Sequence, residues 1–281
     1  MDRKTTADNV PMYCISLDRR PDRWAEFQAR AKHAGLEGRV GRWSAVDAKT
    51  FDTTTHPQVS VGTAHNIRFK VRRSHYEIDT PGAVGASLSH FGVWTRIAES
   101  GVPGVVFEDD CAFPDGFLEG LHKVFADLPP GADSWDVIMF HETDYDGTGA
   151  GCKPIEGEEP WHLCTSLFGA HAYMVSSAGA KKLLRRAYPI ELHVDAYMAY
   201  MCRMGDIRMM WHPALQMPSP DLDSDINHGG GRILQVPTDM TRRGLVVLDE
   251  FSAVGVMAAA LIAGGLLGLA FFRGRGALFR L

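Results

Sequence analysis

The chain has 281 residues, 45% hydrophobic, 22% charged and 10% aromatic, a globular composition that excludes a disordered, collagenous or disulfide-scaffold protein. Arg273, Arg275 and Arg280 are the only charges after residue 250, so the first 250 residues hold 26 basic against 34 acidic side chains, a net of −8. No nucleic-acid partner is expected, because a phosphate backbone requires a basic surface.

Residues 1–9 are polar and lack the apolar stretch of a secretory signal. Residues 12–17 form an apolar run of strand type, followed by Asp18-Arg19-Arg20-Pro21-Asp22-Arg23 and then Trp24, Phe27, Ala31 and Ala34 at helical spacing. Pro21 suits a first helical turn and Gly35 the left-handed residue that ends one. Residues 39–47 give a second strand ending at Ala45-Val46-Asp47. Residues 49–80 are rich in Thr, His and Arg without a sustained period, which predicts irregular structure or a mobile insertion.

From Pro81-Gly82-Ala83-Val84-Gly85 onward, Leu88, Phe91, Trp94 and Ile97 recur at helical steps until Gly101, an amphipathic helix opened by glycines. Val105-Val106-Phe107 reads as a brief buried strand ending in Glu108-Asp109-Asp110. Further strands are expected at 136–140 and 170–176, and helices at 178–187 and 195–204. Strands alternating with helices indicate a layered α/β domain. The Met198, Met201, Met204, Met209, Met210 series reads as flexible core filler. Cys14, Cys111, Cys152, Cys164 and Cys202 are odd in number and form no C-x-x-C, so reduced thiols are expected.

The sharpest chemical feature is Glu108-Asp109-Asp110 at a strand's carboxyl end, where open α/β sheets place ligands. Crowded carboxylates call for a cation, and hard oxygen ligands suit Mn²⁺ or Mg²⁺ completed by substrate phosphates. Strand alternation puts Glu108 and Asp110 on one face and Asp109 on the other, so the first two are the expected pair. The alternative is a solvated acidic turn. Arg19, Arg20 and Arg23 beside a helix N-terminus suit a diphosphate, or else an exposed basic turn pairing with Asp18 and Asp22. Asp195 opens a helix, where N-capping is its simplest role. Gly85-Ala86-Ser87-Leu88-Ser89 lacks the second glycine of a nucleophile elbow, and no Walker loop or zinc helix is present.

These segments, in their order, resemble glycosyltransferase family 25, the lipopolysaccharide and procollagen galactosyltransferase group. The resemblance runs from Tyr13 to Ile226. It rests on Ile15-Ser16-Leu17-Asp18-Arg19-Arg20-Pro21-Asp22-Arg23, Ala45-Val46-Asp47, the Pro81 to His90 block with Trp94, and Val106-Phe107-Glu108-Asp109-Asp110. It continues through Trp135-Asp136-Val137-Ile138, Ala172-Tyr173-Met174-Val175-Ser176 with Gly179, Ala180, Lys182 and Leu183, then Val194-Asp195 and Ser224-Asp225-Ile226. The resemblance implies a GT-A type nucleotide-sugar transferase with a Rossmann-like sheet over residues 10–228. The implied reaction moves a hexose, most often galactose from UDP-galactose, to a hydroxyl of a glycan, glycolipid or protein.

By the same resemblance Glu108 and Asp110, with His228 as a further ligand, would hold Mn²⁺ or Mg²⁺, and Ser16, Leu17, Arg19, Arg23, Asp47, His90, Asp109 and Ser224 would line the donor site. Asp195 is the first candidate for the base that an inverting transfer needs, with Glu142 and Asp144 behind it. Ala83 and Ala86 stand where the family's block has glutamate and cysteine, and Ala196 stands where it often has a second acid. A noncatalytic nucleotide-sugar or glycan-binding protein is therefore the second reading.

Residues 251–272 contain no Asp, Glu, Lys, Arg, His, Asn or Gln. As a helix they would reach roughly 33 Å, the thickness of a bilayer's hydrocarbon core. This predicts a C-terminal transmembrane helix after a 229–250 linker, with a basic 273–281 tail. The protein would then be tail-anchored at a membrane, with its catalytic domain in the cytosol.

Overall fold

The computed structural model describes residues 5–131, 134–141, 151–165 and 169–218, and the backbone of Arg232–Ile233. In chain order the elements are β1 (Met12–Ser16), α1 (Pro21–His33), β2 (Val40–Ser44), α2 (Val61–Phe69), β3 (Val71–Arg72), α3 (Pro81–Ser100), β4 (Gly104–Glu108) and α4 (Phe117–Ala126). There follow β5 (Val137–Met139), β6 (Cys152–Pro154), β7 (His162–Cys164), β8 (Ala172–Val175), α5 (Ser177–Leu184), α6 (Val194–Arg203), β9 (Met209–Trp211) and β10 (Arg232–Ile233). The main unit covers residues up to 70 and from 76 to 231. A second unit, 71–75 with 232–281, is described by the parallel pairing of β3 with β10.

Helix boundaries follow local chemistry. Pro21 and Pro81 sit in first turns, where a missing N–H costs nothing. The Thr80 hydroxyl accepts from Ala83 N–H to open α3, and Ser176 accepts from Gly179 N–H at 2.8 Å to open α5. Gly35 and Gly101 take the left-handed conformation expected of helix ends, with φ of 76° and 74°.

The strands of the main unit form one mixed sheet in the order β2-β1-β4-β8-β5-β9-β7-β6. β1 pairs in parallel with β2 on one side and β4 on the other, whereas β8 runs antiparallel to both β4 and β5. The central strands β4, β8, β5 and β9 are buried on both faces. Val105 and Phe107 point into a core with Phe27 and Ala31 of α1 and Phe117 and Leu121 of α4. Val106 points the other way, among Phe91, Trp94 and Ile97 of α3, Leu183 of α5 and Met198 of α6. Two-sided burial explains why β4 reads as an uninterrupted apolar run. Each fully buried large side chain contributes about 2–3 kcal/mol of transfer free energy. The arrangement is a mixed α/β fold consistent with a Rossmann-like domain.

Several expectations are corrected. Residues 49–80 are not irregular throughout, because α2 is built there, capped by Ser60 accepting from Thr63 N–H at 3.0 Å and ended by Lys70 at φ 52°. Only Thr63 of its nine residues is buried, and Val61 and Phe69 are exposed, so no sustained apolar period announced it. Met204 is 57% exposed rather than core filler, while the other four methionines of its series are buried. The cysteines are not all reduced: Cys152 and Cys164 face each other in the β6–β7 hairpin and form a disulfide. Their 12-residue separation closes into a cross-strand pair only once the hairpin register is set. Cys152→Ser is expected to lower unfolding free energy by about 3 kcal/mol, the chain-entropy value for so short a loop. Urea unfolding with and without reductant checks this, since the variant must be insensitive to reductant.

The membrane expectation is corrected as well. Among the described residues no helix is long and apolar enough to cross a membrane. The 251–272 segment and the 273–281 tail lie outside the described residues, as does the 229–250 linker apart from Arg232–Ile233. Freedom from charge permits a span without enforcing one. With no spanning helix among the described residues, the tail anchor and the cytosolic placement derived from it are left without structural support.

Candidate active site

Strand order reverses at β1, whose neighbours β2 and β4 leave in opposite directions, and such a switch point opens a crevice at the carboxyl ends of the strands. A cavity of about 280 Å³ lies there. Ile15, Leu17 and Arg19 reach it from the end of β1, Ala45 to Lys49 from the end of β2, and Glu108, Asp109 and Asp110 from the end of β4. Arg23 enters from α1, and Ala86, Ser89 and His90 from α3. Leu17, Arg19, Arg23, Asp47, His90, Glu108, Asp109 and Asp110 thus share one cavity. Ser16 is buried at the strand end and does not line it.

The acidic motif does not alternate as expected. β4 ends at Glu108, and Asp109 and Asp110 lie in a turn, so two-residue periodicity no longer governs where they point. One guanidinium nitrogen of Arg23, Nη2, contacts Asp109 Oδ1 at 2.6 Å and Asp110 Oδ2 at 3.2 Å. Glu108 instead meets His90. Arg19 Nε donates to Asp47 Oδ2 at 2.8 Å, and Arg20 pairs with Asp22 outside the cavity.

Burial and the neighbouring Glu108 charge push the Asp110 carboxyl up to about 7, against the pull of Arg23. Burial also raises Asp109, with Arg23 opposing. Burial would raise Glu108 too, but the His90 interaction outweighs it and holds that carboxyl below its ordinary value. The thiols of Cys14 and Cys111 are pushed well up by burial and then by these carboxylates, which keeps them protonated and unreactive.

A buried hydrogen-bond chain fixes Glu108. Trp94 Nε1–H can only donate, and it donates to the Tyr173 hydroxyl at 2.7 Å. Tyr173 therefore donates to His90 Nδ1 at 2.8 Å, and the ring proton assigned by this network sits on Nε2, 3.1 Å from Glu108 Oε1. Trp94, Tyr173 and His90 are each at most 1% exposed. Tyr173→Phe leaves an indole N–H and an imidazole nitrogen buried without partners, at about 1–3 kcal/mol each. Chemical denaturation is expected to show a loss of about 2 kcal/mol or more; a change under half that would contradict the network.

Asp195 lies outside the cavity. It is not the N-cap of α6, which is His193; it stands in the first turn, where Oδ2 accepts from Gly169 N–H and Oδ1 from Ala196 N–H, both at 2.8 Å. Beside it, the buried rings of His141 and His171 stack with centroids 4.0 Å apart. Burial lowers the His171 imidazolium pKa against the attraction of Glu108 and Asp195. Sequence reasoning missed His171 and Tyr173 as site residues. His171 reaches Glu108 through antiparallel β8, its carbonyl accepting from Glu108 N–H at 2.8 Å, a register no local pattern encodes. Glu142, Asp144, Ser224 and His228 lie outside the described residues.

The donor set suits a divalent cation. Asp110 Oδ1 is buried without a hydrogen-bond partner. Among the described residues no three His, Cys, Asp or Glu side chains are grouped to hold a metal by themselves. That is compatible with Mg²⁺- or Mn²⁺-type binding, which uses one or two carboxylates and takes remaining ligands from substrate phosphate and water.

The mixed sheet, with its charged crevice at the switch point where open α/β sheets place ligands, defines an α/β domain of Rossmann-like type. The sequence model of glycosyltransferase family 25 (LPS biosynthesis protein) matches residues 9–198, and the chain belongs to that family. A probable inactive glycosyltransferase 25 family member 3 of Rattus norvegicus is 30% identical over 201 residues, 68% of this chain and 32% of the relative. A glycosyltransferase 25 family member of Anopheles gambiae is 30% identical over 198 residues, 68% of this chain and 31% of the relative. Procollagen galactosyltransferase 1-A of Xenopus laevis is 28% identical over 200 residues, 70% of this chain and 31% of the relative. The match spans about a third of the length of these relatives.

Proposed function

We propose that the chain is a divalent-metal-dependent glycosyltransferase that moves a hexose from a UDP-sugar to a hydroxyl of a glycan, glycolipid or protein. The observation that carries this reading is the meeting of Glu108, Asp109 and Asp110 with Arg19 and Arg23 in one cavity at the sheet's switch point. Glu108 and Asp110 would hold Mn²⁺ or Mg²⁺, which when bound stabilises negative charge on the departing diphosphate. Arg19 and Arg23 orient the diphosphate through guanidinium forks that match its oxygens. Asp47 restrains Arg19, and His90 restrains Glu108. Asp195 is the proposed base, receiving the acceptor hydroxyl's proton as the new glycosidic bond forms. The name of the Xenopus relative makes UDP-galactose the first donor to test.

Incubating the full chain with Mn²⁺ and a panel of UDP-sugars, without acceptor, is expected to give slow donor hydrolysis that EDTA abolishes. Asp195→Asn should lower kcat at unchanged donor KM. A chain that neither binds UDP nor turns over any donor refutes the proposal. UDP binding without turnover selects the second reading, a noncatalytic nucleotide-sugar-binding protein. That reading is favoured by the rat relative's name and by Ala86, which lines the cavity where the family's block has cysteine.

A further inference from the structure

The acidic motif already contacts a cation supplied by the chain itself. Arg23 is 8% exposed, and a single nitrogen of its guanidinium bridges Asp109 and Asp110. Its Nε is buried without a hydrogen-bond partner. This is an incomplete use of the group, because a guanidinium engages an oxyanion best through two parallel N–H bonds. The other half of the mismatch is Asp110 Oδ1, also buried and without a partner. Donor and acceptor are thus each left with capacity in the cavity where phosphate and metal are proposed to meet.

Like charges make the two arrangements compete. A divalent ion on Asp110 would stand beside the Arg23 guanidinium, and repulsion between neighbouring cations in a partly buried site is weakly screened. A diphosphate relieves the conflict, since it offers Arg23 a bidentate partner and supplies oxygens to the metal. We propose that Arg23 is the acidic motif's internal counter-cation in the donor-free protein, and that a nucleoside diphosphate draws its guanidinium away and so opens the carboxylates to the metal. Metal and nucleotide then bind with positive coupling, and the coupling is reciprocal. The inference rests on the proposed function and adds an order to it: metal alone binds weakly, and nucleotide admits it.

Opposite signs in one variant provide the test. Mn²⁺ binding to the full chain is measured by electron paramagnetic resonance of free Mn²⁺, with and without UDP, and UDP binding by calorimetry. In Arg23→Gln, Mn²⁺ alone is expected to bind about three- to tenfold more tightly, while UDP binds at least about tenfold more weakly, in the usual range of coupling between adjacent sites. A purely structural role for Arg23 would weaken both together, and that result overturns the proposal. Arg23→Lys keeps the charge but loses the fork, so Mn²⁺ affinity without UDP should stay within about twofold while UDP affinity falls. Should Arg23→Gln fail to fold, the lysine variant decides: a rise or loss of Mn²⁺ affinity in it refutes the counter-cation. Wild-type protein that binds no UDP removes the proposed function as well, whereas UDP-binding wild type with same-direction shifts removes this inference alone.

Discussion

Asp110→Asn is expected to abolish most metal-supported donor turnover while raising the melting temperature. The two effects share one cause. Asp110 is held among carboxylates in a buried turn, where its charge is unfavourable enough to push its carboxyl up to about 7. An amide of equal volume removes that charge and still offers Arg23 an acceptor. It also removes a hard anionic ligand where charge develops on the leaving group, and single interactions of that kind are worth about 10²–10³ in rate. The pH dependence has a definite sign. A carboxyl raised in the folded state stabilises the protein below its unfolded value of 3.8 and loses that contribution as pH rises through about 7. In EDTA, the melting-temperature advantage of the asparagine variant should therefore grow from pH 4 to pH 8, on the order of degrees for a kcal/mol-scale change. Full turnover in the variant, or an advantage that shrinks across that range, would sink the assignment of Asp110.

Much of this arrangement is legible in the sequence, and the exceptions share a reason. β1, α1, α3 and β4 carry their signals locally: apolar runs, prolines in first turns, and Gly35 and Gly101 at helix ends. The family resemblance implied one donor site for the acidic motif and Arg19, and the two do line one cavity. What failed depended on distant pairing or on a change of conformation within a motif. The alternation drawn through Glu108-Asp109-Asp110 assumed an extended backbone, and the strand stops after its first member. The Cys152–Cys164 pair required hairpin register, and the Trp94–Tyr173–His90–Glu108 chain spans α3, β8 and β4. α2 has nine residues and buries only Thr63, too little for a sustained apolar period, and its cap, Ser60, is one serine among many.

The glycines of the Pro81 to His90 block were legible as a helix start, but the reason for Gly85 lies in what the helix packs against. A Cβ built on Gly85 would stand 2.6 Å from the Val46 carbonyl oxygen and 3.2 Å from Ala48 Cβ. The closest obstacle is backbone, which cannot swing aside as a side-chain tip does. One turn later Ser89 Oγ accepts from Val46 N–H at 2.8 Å and donates to the Gly85 carbonyl at 2.6 Å, so α3 and the 45–49 loop are bonded where they touch. That loop lines the cavity from Ala45 to Lys49 and carries Asp47, the partner of Arg19. Gly85→Ala must therefore move the loop or the helix. It is expected to cost about 1–3 kcal/mol of stability, as overpacking does. UDP affinity should fall about tenfold or more, since a loop shift that displaces Asp47 and Arg19 removes at least one charge-assisted contact. Gly62→Ala is the control, because a Cβ there meets only Ser60 Oγ at 3.6 Å, and it should change stability by no more than about 1 kcal/mol and leave UDP binding unaltered. Equal behaviour of the two variants in thermal unfolding and UDP titration would mean that α3 does not rest on the 45–49 loop in solution, and the cavity's wall would have to be redrawn.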